Sequence, residues 1–318
     1  MDTRRMILSA DATACITRTL ASLPRELDAI DWPSAASALR SGPLDWSVER
    51  VRRTLWKDDF LVLKLDPVWI EQHGVWGGQI AARLIAHLLG RVVPQNEAGD
   101  EVITVYNRSP RDRQNPRYTQ TSRGGILHTD RASSPDPWTC LLLACLAPAM
   151  LGGETILVGV DRLHRFWSDR FPGQLAVLEK EFPLRSMLFP SRSYAAPVFR
   201  ATSGRATARY LRPCIDAGSE ARGVELTDEQ IAALDMLDAS LEMVELQVRF
   251  RLGAGEMLIA LDDRIFHGRT AFADAPGAIP AVQATQGDPR PLKRTMERLW
   301  IDVEEVSVLS GRGAGGSC

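Results

Sequence analysis

The segment GEMLIALDDRIFHGRTAF, residues 255–272, contains two short apolar runs, Glu256–Leu261 and Ile265–Thr270, separated by Asp-Asp-Arg. Runs of this kind, bounded by glycine, proline and polar residues, indicate β-strands. Further such runs occur at residues 60–65, 102–106, 126–130, 139–146, 154–158, 245–252 and 294–303. Many short strands predict a β-rich fold on a double-sheet, jelly-roll core, which can enclose a small ligand.

Helical patterns flank and interrupt these strands. In the first sixty residues, apolar positions between Leu20 and Ile30 recur at three- and four-residue spacing, which predicts amphipathic helices. Further helical patterns cover residues 69–89, 161–171 and 174–182. Thr227, with Gln230 three residues later, is a suitable N-cap for another helix. The strands are therefore expected to carry a helical cover.

These patterns predict one domain over residues 1–308, with a helical N-terminal elaboration and a helical insert. The tail at residues 309–318 is rich in glycine and lacks apolar periodicity, so we expect it to be disordered. A proline- and glycine-containing stretch at 271–289 resembles an inserted loop. Long loops beside a binding site often act as lids, which makes this stretch a lid candidate.

Composition excludes several classes of protein. The formal net charge of −2 over 318 residues gives no reason to expect nucleic acid or an anionic membrane as a partner. No apolar run reaches the roughly 18 residues needed to cross a bilayer, and the N-terminus lacks the apolar core of a secretory signal. The five cysteines are scattered without a C-x-x-C pair, which argues against a disulfide framework and favours a cytoplasmic location.

A histidine and a carboxylate with metal-ligand spacing stand out in the sequence. His128 and Asp130 lie two residues apart in an apparent strand, so their side chains should project to the same face. His267 lies in a second apparent strand far downstream. Two imidazoles and one carboxylate form the facial set that leaves open positions on Fe(II). We therefore predict a mononuclear iron site formed by these three residues.

Four motifs carry a family resemblance: GGILHTD at 124–130, GGET at 152–155, the 255–272 segment, and RTMERLWID at 294–302. In this order they resemble the TauD/TfdA family of Fe(II)/2-oxoglutarate-dependent dioxygenases, in particular its clavaminate synthase-like branch. The resemblance runs from about Phe60 to Asp302. It implies a double-stranded β-helix (jelly roll) core, and oxygenation by O2 in which 2-oxoglutarate is converted to succinate and CO2.

The resemblance also implies roles for residues around the iron. Thr155 and Arg294 fit the positions that hold the far carboxylate of 2-oxoglutarate, and Arg298 the position near its 1-carboxylate. Arg294 lies 27 residues beyond His267, about twice the gap expected for the family. Because Arg290 and Arg294 have the same four-residue spacing as Arg294 and Arg298, the pair could instead lie upstream. We prefer Arg294 and Arg298, since the chain after Arg298 continues as a strand.

The substrate is less well defined by the sequence. Related halogenases carry a small residue at the position of Asp130, so its carboxylate indicates the oxygenating group. Loops rich in arginine precede His128 and follow the helical insert, which suggests an anionic or zwitterionic small molecule. Arg123 and Arg212 are the preferred substrate contacts because each flanks a predicted core strand.

The favoured hypothesis is an oxygenase that hydroxylates or otherwise tailors an amino-acid-like or natural-product intermediate. A catabolic dioxygenase for a sulfonate or an aryloxy acid uses the same chemistry and stays open. Two other classes also stay open, a non-catalytic jelly-roll binding protein and a cupin-type metalloenzyme without a co-substrate. The first has no reason to keep the full set of predicted site residues, and the second does not need Arg294.

Overall fold

The computed structural model describes residues 5–108, 120–134, 136, 138–202, 204–285 and 288–303. The predicted tail at 309–318 and much of the arginine-rich loop before His128 lie outside these ranges. The single domain over 1–308 stays a prediction. Within the described ranges, no helix combines the length and the apolar character needed to span a membrane.

Eight α-helices are described, and their ends follow the capping signals of the sequence. They are α1 (Ala10–Ser22), α2 (Trp32–Ser37), α3 (Pro43–Asp58), α4 (Pro67–Leu89), α5 (Val160–Arg170), α6 (Pro172–Leu178), α7 (Arg212–Arg222) and α8 (Asp228–Leu241). Asp66 caps α4 by accepting the backbone N–H of Val68 at 2.8 Å, with Pro67 in the first turn. Thr227 and Gln230 form the predicted capping box of α8.

The described strands form two principal sheets and several short pairs. They are β1 (Arg5–Ile7), β2 (Phe60–Lys64), β3 (Arg91–Val93), β4 (Val102–Tyr106), β5 (Cys140–Ala147), β6 (Leu151–Gly152), β7 (Thr155–Gly159), β8 (Glu181–Arg185), β9 (Ser193–Pro197), β10 (Phe199–Thr202), β11 (Arg205–Ala208), β12 (Gln247–Phe250), β13 (Glu256–Leu261), β14 (Ile265–Arg269), β15 (Phe272–Ala273), β16 (Ile279–Pro280), β17 (Leu292–Lys293) and β18 (Thr295–Asp302). The larger sheet has the order β1-β2-β13-β5-β18-β3, with β4 also paired to β18. The smaller sheet has the order β12-β7-β14.

The two sheets share an apolar interior. Val62 and Leu258 of the larger sheet pack in one buried cluster with Leu157 and Phe250 of the smaller sheet. Because successive side chains alternate across a strand, the neighbouring positions of β2 and β13 face the opposite way, where helices α1, α3 and α4 cover them. This burial on both faces explains why the central strands appear as continuous apolar runs in the sequence.

The insert between β7 and β12 covers the smaller sheet. Helices α5 to α8 and the hairpins β8–β9 and β10–β11 build a second buried cluster around Trp167, Phe199 and Leu234. Phe266 of β14 belongs to this cluster, which joins the insert to the smaller sheet. The predicted β-rich core with a double sheet and helical cover is confirmed, and the sheets do not close into a barrel.

Several local predictions were wrong. Residues 126–130 form no regular strand: His128 makes an isolated β-bridge, and Asp130 begins a 3-10 turn, Asp130–Ser133. The glycines before this segment and the aspartate within it favour turns over extended pairing, which apolar spacing alone does not reveal. The predicted helix at 174–182 ends at Leu178, and the chain continues into β8.

Candidate metal centre and adjoining cavity

His128, Asp130 and His267 form a buried cluster in which one donor atom from each residue lies within 4.8 Å of the others. The His128 Nε2 atom is 3.5 Å from Asp130 Oδ1, and the His267 Nε2 atom is 3.9 Å from Asp130 Oδ2. The two imidazole centroids are 4.5 Å apart. Two imidazole nitrogens and a carboxylate thus converge as a facial ligand set requires.

Backbone pairing brings the two histidines together. The N–H of His128 donates to the carbonyl of His267 at 3.0 Å, and the N–H of His267 donates back at 2.9 Å. Asp130 leaves this pairing and opens a 3-10 turn instead of continuing a strand. The predicted ligands therefore meet, although the regular strand expected to align His128 with Asp130 is absent from the described segment.

Each imidazole turns its Nδ1 atom away from Asp130. The Nδ1 atom of His128 lies 2.9 Å from the carbonyl oxygen of Ile126, and a carbonyl can only accept, so this Nδ1 carries a proton. The Nδ1 atom of His267 lies 3.7 Å from Oδ1 of Asp262. Partners of this kind fix the tautomer of a metal-binding histidine and leave its Nε2 lone pair for the cation.

The charge states in this cluster suit a cation. Burial and the neighbouring His128 lower the pKa of His267 to about 3, so His267 is neutral at physiological pH. Burial would raise the pKa of Asp130, but the Arg298 guanidinium and the two histidines together outweigh burial and hold that pKa well below its ordinary value. Burial would lower the pKa of His128, but the Asp130 carboxylate, the Ile126 carbonyl and Asp262 together outweigh burial and raise it. A bound cation would compete with that proton for His128.

The Asp130 carboxylate is held by side chains from β18. The Arg298 Nη1 atom donates to both carboxylate oxygens, at 2.9 and 3.1 Å, and the Trp300 Nε1 atom donates to Oδ2 at 3.0 Å. The Nε atom of Arg298 donates in turn to Gln95 Oε1 at 2.7 Å. Arg298 was predicted beside the 1-carboxylate of the co-substrate. The structure places its guanidinium against a predicted iron ligand, and the co-substrate contact stays a prediction.

A cavity adjoins the metal cluster and contains the predicted co-substrate residues. It is lined by Val105, His128, Leu143, Thr155, His267, Gly268, Arg269, Arg294, Met296 and Arg298. Thr155 and Arg294 are both buried. Arg294 precedes Arg298 by four residues, with a register shift between Thr295 and Met296, so their Cα atoms lie at most about 13 Å apart along the strand direction. The cavity thus has a cationic group near the metal cluster and another further away.

The GGET motif has a steric explanation. Gly152 and Gly153 adopt positive φ angles of 66° and 70°, a region that favours glycine. A Cβ atom on Gly152 would lie 2.2 Å from the carbonyl oxygen of Ala271, and one on Gly153 would lie 3.2 Å from the side chain of Arg294. The two glycines therefore let the chain pass close to Arg294 immediately before Thr155 enters β7.

Arg269 lines the cavity, and no role was predicted for it from the sequence. Its guanidinium donates to the backbone carbonyls of Thr121 and Arg123 and lies 4.9 Å from the centroid of the Phe272 ring. Arg269 follows His267 by two residues on β14, so both side chains project to the same face. That spacing was the signal that could have identified it.

The alternative arginine pair is not favoured by the geometry. Arg290 is exposed, and its guanidinium donates twice to the carboxylate of Asp288, at 3.0 and 2.6 Å. Arg294 and Arg298 both line the cavity. Arg294 and Arg298 stay the preferred prediction for the pair.

The contacts of the two tentative substrate residues give those roles no support. Arg212 lies in the first turn of α7 and makes ion pairs with Asp216, Asp235 and Asp238, at 3.3, 3.0 and 3.2 Å. Arg123 is exposed, and only its backbone carbonyl is tied to the cavity. Neither side chain is among the residues found to line the cavity in the described part of the chain.

The insertion at 271–289 packs against the start of β18. Within it, β15 pairs with β6 and β16 pairs with β17. The Asp274 Oδ1 atom accepts the backbone N–H of Arg294 at 2.7 Å, and the Thr295 hydroxyl oxygen accepts the N–H of the buried Ala281 at 3.0 Å. The described part of this segment therefore supports the backbone that carries Arg294, and its role as a lid stays a prediction.

Comparisons with known proteins agree with this arrangement. The family model described as "Taurine catabolism dioxygenase TauD, TfdA family" matches residues 40–296. An asparagine oxygenase structure, solved with Fe(II), 3-hydroxyasparagine and succinate, has a TM-score of 0.71 at 18% identity and covers 94% of this chain and 93% of that one. The non-haem iron oxygenase OrfP, solved with Fe and α-ketoglutaric acid, has a TM-score of 0.64 at 14% identity and covers 94% of both chains.

One curated relative also matches at the sequence level. The FR-33289 synthase of Streptomyces rubellomurinus is 27% identical over 233 residues, which is 71% of this chain and 64% of that protein. The matched region thus spans less than two thirds of the length of that relative. The family model alone covers most of the chain, from just before α3 to the start of β18. The chain therefore belongs to the TauD/TfdA family.

Proposed function

We propose that this protein is an Fe(II)- and 2-oxoglutarate-dependent dioxygenase that oxidises a small amino-acid-like or natural-product substrate. The observation that carries the proposal is the buried cluster of His128, Asp130 and His267, which opens onto a cavity containing Thr155 and Arg294. Structural cores do not need a buried pair of imidazoles converging on a carboxylate. Such an arrangement is typical of a metal site.

The residues present fit Fe(II). Neutral imidazole and carboxylate are its preferred ligands in non-haem oxygenases, and three protein ligands leave positions for a co-substrate and O2. When bound, the iron with 2-oxoglutarate and O2 supplies the oxidising chemistry, and succinate and CO2 are released. His128 and His267 provide the two nitrogen donors, and Asp130 provides the oxygen donor.

The chain's own residues provide binding and orientation. Arg298 and Trp300 hold the Asp130 carboxylate ionised and in one orientation. Arg294 would bind the far carboxylate of 2-oxoglutarate, since a guanidinium fork matches a carboxylate and stays charged when buried. Thr155 would donate its hydroxyl to the same carboxylate. Leu143 and Met296 give the cavity an apolar lining between these groups, which would help to exclude water once the co-substrate is bound.

The relatives support an amino-acid-like or natural-product substrate. The asparagine oxygenase was solved with 3-hydroxyasparagine, and OrfP with L-Arg and hydroxylated arginine. The curated relative is a synthase of FR-33289. We therefore propose a zwitterionic or anionic small molecule as the substrate, consumed by a tailoring reaction. A catabolic sulfonate dioxygenase uses the same metal chemistry and differs only in the molecule accepted.

Succinate release tests the proposal. Protein loaded with Fe(II) and 2-oxoglutarate would be incubated with free L-amino acids, their N-acyl derivatives, taurine and aryloxyacetic acids. We expect substrate-dependent succinate above the background of the Asp130→Ala variant, together with a product 16 mass units heavier or 2 lighter. Turnover with taurine or aryloxy acids alone would favour the catabolic role. No turnover above the variant's background with any compound would favour a non-catalytic protein.

A further inference from the structure

Asp262 lies between β13 and β14, next to the proposed metal ligand His267. It begins a 3-10 turn, Asp262–Arg264, that joins β13 to β14 five residues before His267. Its side chain is fully buried, with no exposed fraction. A buried carboxylate is costly unless it accepts hydrogen bonds or meets a positive charge, so its partners define what it does.

The partners of Asp262 come from the segment that carries the other two metal ligands. Its Oδ1 atom accepts the backbone N–H of Asp130 at 3.0 Å, and its Oδ2 atom accepts the backbone N–H of Arg131 at 2.8 Å. Its Oδ1 atom also lies 3.7 Å from the Nδ1 atom of His267. One carboxylate therefore contacts both halves of the site, which are more than 130 residues apart in sequence.

These contacts affect the position of Asp130 directly. Where Asp130 leaves the pairing with β14, the first N–H groups of its 3-10 turn have no carbonyl partner within the turn. Asp262 accepts two of them, which fixes where the turn starts and which way the Asp130 side chain points. On the opposite side, its Oδ1 atom lies near the Nδ1 atom of His267, and an acceptor in that place favours the His267 tautomer that keeps a proton on Nδ1 and leaves Nε2 for the metal.

We infer that Asp262 is a positioning residue of the metal centre, which holds Asp130 and His267 in register and thereby sets the affinity for the metal. This inference rests on the metal site of the proposed function. It assigns a role to the first aspartate of the Asp-Asp-Arg stretch. The second aspartate, Asp263, differs in its contacts: it pairs with the side chain of Arg131 at 2.9 Å and contacts no proposed metal ligand in the described part of the chain.

The two neighbouring aspartates provide a matched pair of variants. Asp262→Asn keeps the shape and one acceptor but removes the charge and places an amide N–H against a backbone N–H. Asp263→Asn makes the same chemical change one residue later. We would measure the thermal midpoint and far-UV circular dichroism of each metal-free protein, and then its Kd for Co(II), a spectroscopic substitute for Fe(II), without any turnover.

We expect Asp262→Asn to fold and its Kd for Co(II) to rise by about 10- to 100-fold, the usual effect of removing an outer-shell partner of a metal ligand. Asp263→Asn should bind Co(II) like the wild type. In proton NMR of the Co(II) protein, each ligand histidine should give one shifted, exchangeable Nδ1–H resonance. Asp262→Asn should move or broaden the resonance of His267 and leave that of His128, whose partner is a backbone carbonyl.

Unchanged affinity and an unchanged pair of resonances in Asp262→Asn would overturn the inference. Asp262→Glu is the second variant, because it keeps the charge but displaces both oxygens by one methylene, and we expect it to weaken Co(II) binding too. Loss of folding in both variants would also overturn it, since Asp262 would then be needed for the fold itself. A wild-type protein that does not bind Co(II) would instead overturn the proposed function.

Discussion

The two ends of the cavity are built in different ways. At the metal end, Asp130 receives hydrogen bonds from Arg298 and Trp300, and Gln95 holds Arg298 in turn. At the other end, Arg294 lies 5.2 Å from the centroid of the Phe272 ring, next to a glycine turn. The first end is a closed network of charges and hydrogen bonds. The second presents cationic and hydroxyl groups against an aromatic ring.

This difference indicates what each end has to do. A metal centre needs its ligands in place before the ion arrives, so its carboxylate is oriented by residues from distant elements. A co-substrate brings its own charge, so the receiving arginine has to be positioned while its guanidinium can still pair with a carboxylate. Substitutions at the metal end should therefore change metal affinity, and those at the other end should change the requirement for 2-oxoglutarate.

The largest effect is expected for Asp130→Ala. Outer-shell substitutions cost about 10- to 100-fold, so loss of a ligand should cost more and remove detectable succinate release. The variant also leaves the buried Arg298 without its carboxylate, which should lower the free energy of unfolding by about 3–5 kcal/mol. Succinate assays and urea unfolding measure the two effects. Wild-type turnover in a folded variant would show that Asp130 is not an iron ligand.

Arg294→Ala tests the other end. Loss of charge-assisted hydrogen bonds to a carboxylate should cost about 3 kcal/mol and raise the KM for 2-oxoglutarate about 100-fold, with little change in Kd for Co(II). Arg290→Ala is the matched control, because Arg290 is exposed and pairs with Asp288. A large effect in the control and none in Arg294→Ala would show that Arg290, and not Arg294, binds the far carboxylate of 2-oxoglutarate.

Acid should lower the free energy of unfolding of the metal-free protein through His267. The pKa of His267 is lowered to about 3, so the unfolded chain binds this proton more tightly than the folded protein, and stability falls as pH drops below about 6.5. Between pH 7 and pH 5 the metal-free wild type should lose about 2 kcal/mol relative to His267→Gln. Urea unfolding at both pH values measures this difference. If the free energy of unfolding changed equally with pH in the wild type and in His267→Gln, His267 would not be a neutral, buried histidine.

A smaller effect is expected for Trp300→Phe. It removes one hydrogen bond to the Asp130 carboxylate and keeps an aromatic ring, so Kd for Co(II) should rise about tenfold, corresponding to about 1.4 kcal/mol. Trp138 stacks on Trp300 with centroids 4.5 Å apart, and its Nε1 atom has no hydrogen-bond partner in the described structure. Trp138→Phe is therefore the matched control. Equal effects in both would show that packing, and not the hydrogen bond, matters.

The sequence predicted the fold best where strands form short apolar runs. Glu256–Leu261 is a central strand buried on both faces, and it was predicted with the bounds that the structure shows. The bounds of Val102–Tyr106 were also predicted correctly, although this strand pairs only with β18 and is half-buried. The helical insert was predicted only in part, because α7 and the two hairpins lack strong periodicity. The close packing of α7 on β8 at Gly218 depends on a contact between distant segments, and local patterns do not contain that information.

The sequence predicted the metal ligands of the site but not the residues that orient them. His128, Asp130 and His267 lie in motifs with recognisable spacing, and the structure brings them together. Nothing in the sequence indicated which residues orient them. Gln95 reaches Arg298 across 203 positions, and its role follows only from the tertiary structure. Asp262 lies in the same segment as His267, yet its contacts with Asp130 and Arg131 depend on where that segment folds back.

The most direct test is an anaerobic titration of metal-free protein with Fe(II) and then 2-oxoglutarate, followed by visible absorption. The account predicts a metal-to-ligand charge-transfer band that appears only when both are present. The band should be lost in Asp130→Ala and should need much more 2-oxoglutarate in Arg294→Ala. Iron that binds without producing a band at saturating 2-oxoglutarate would contradict the account, because the cavity beside the metal would then not be a co-substrate site.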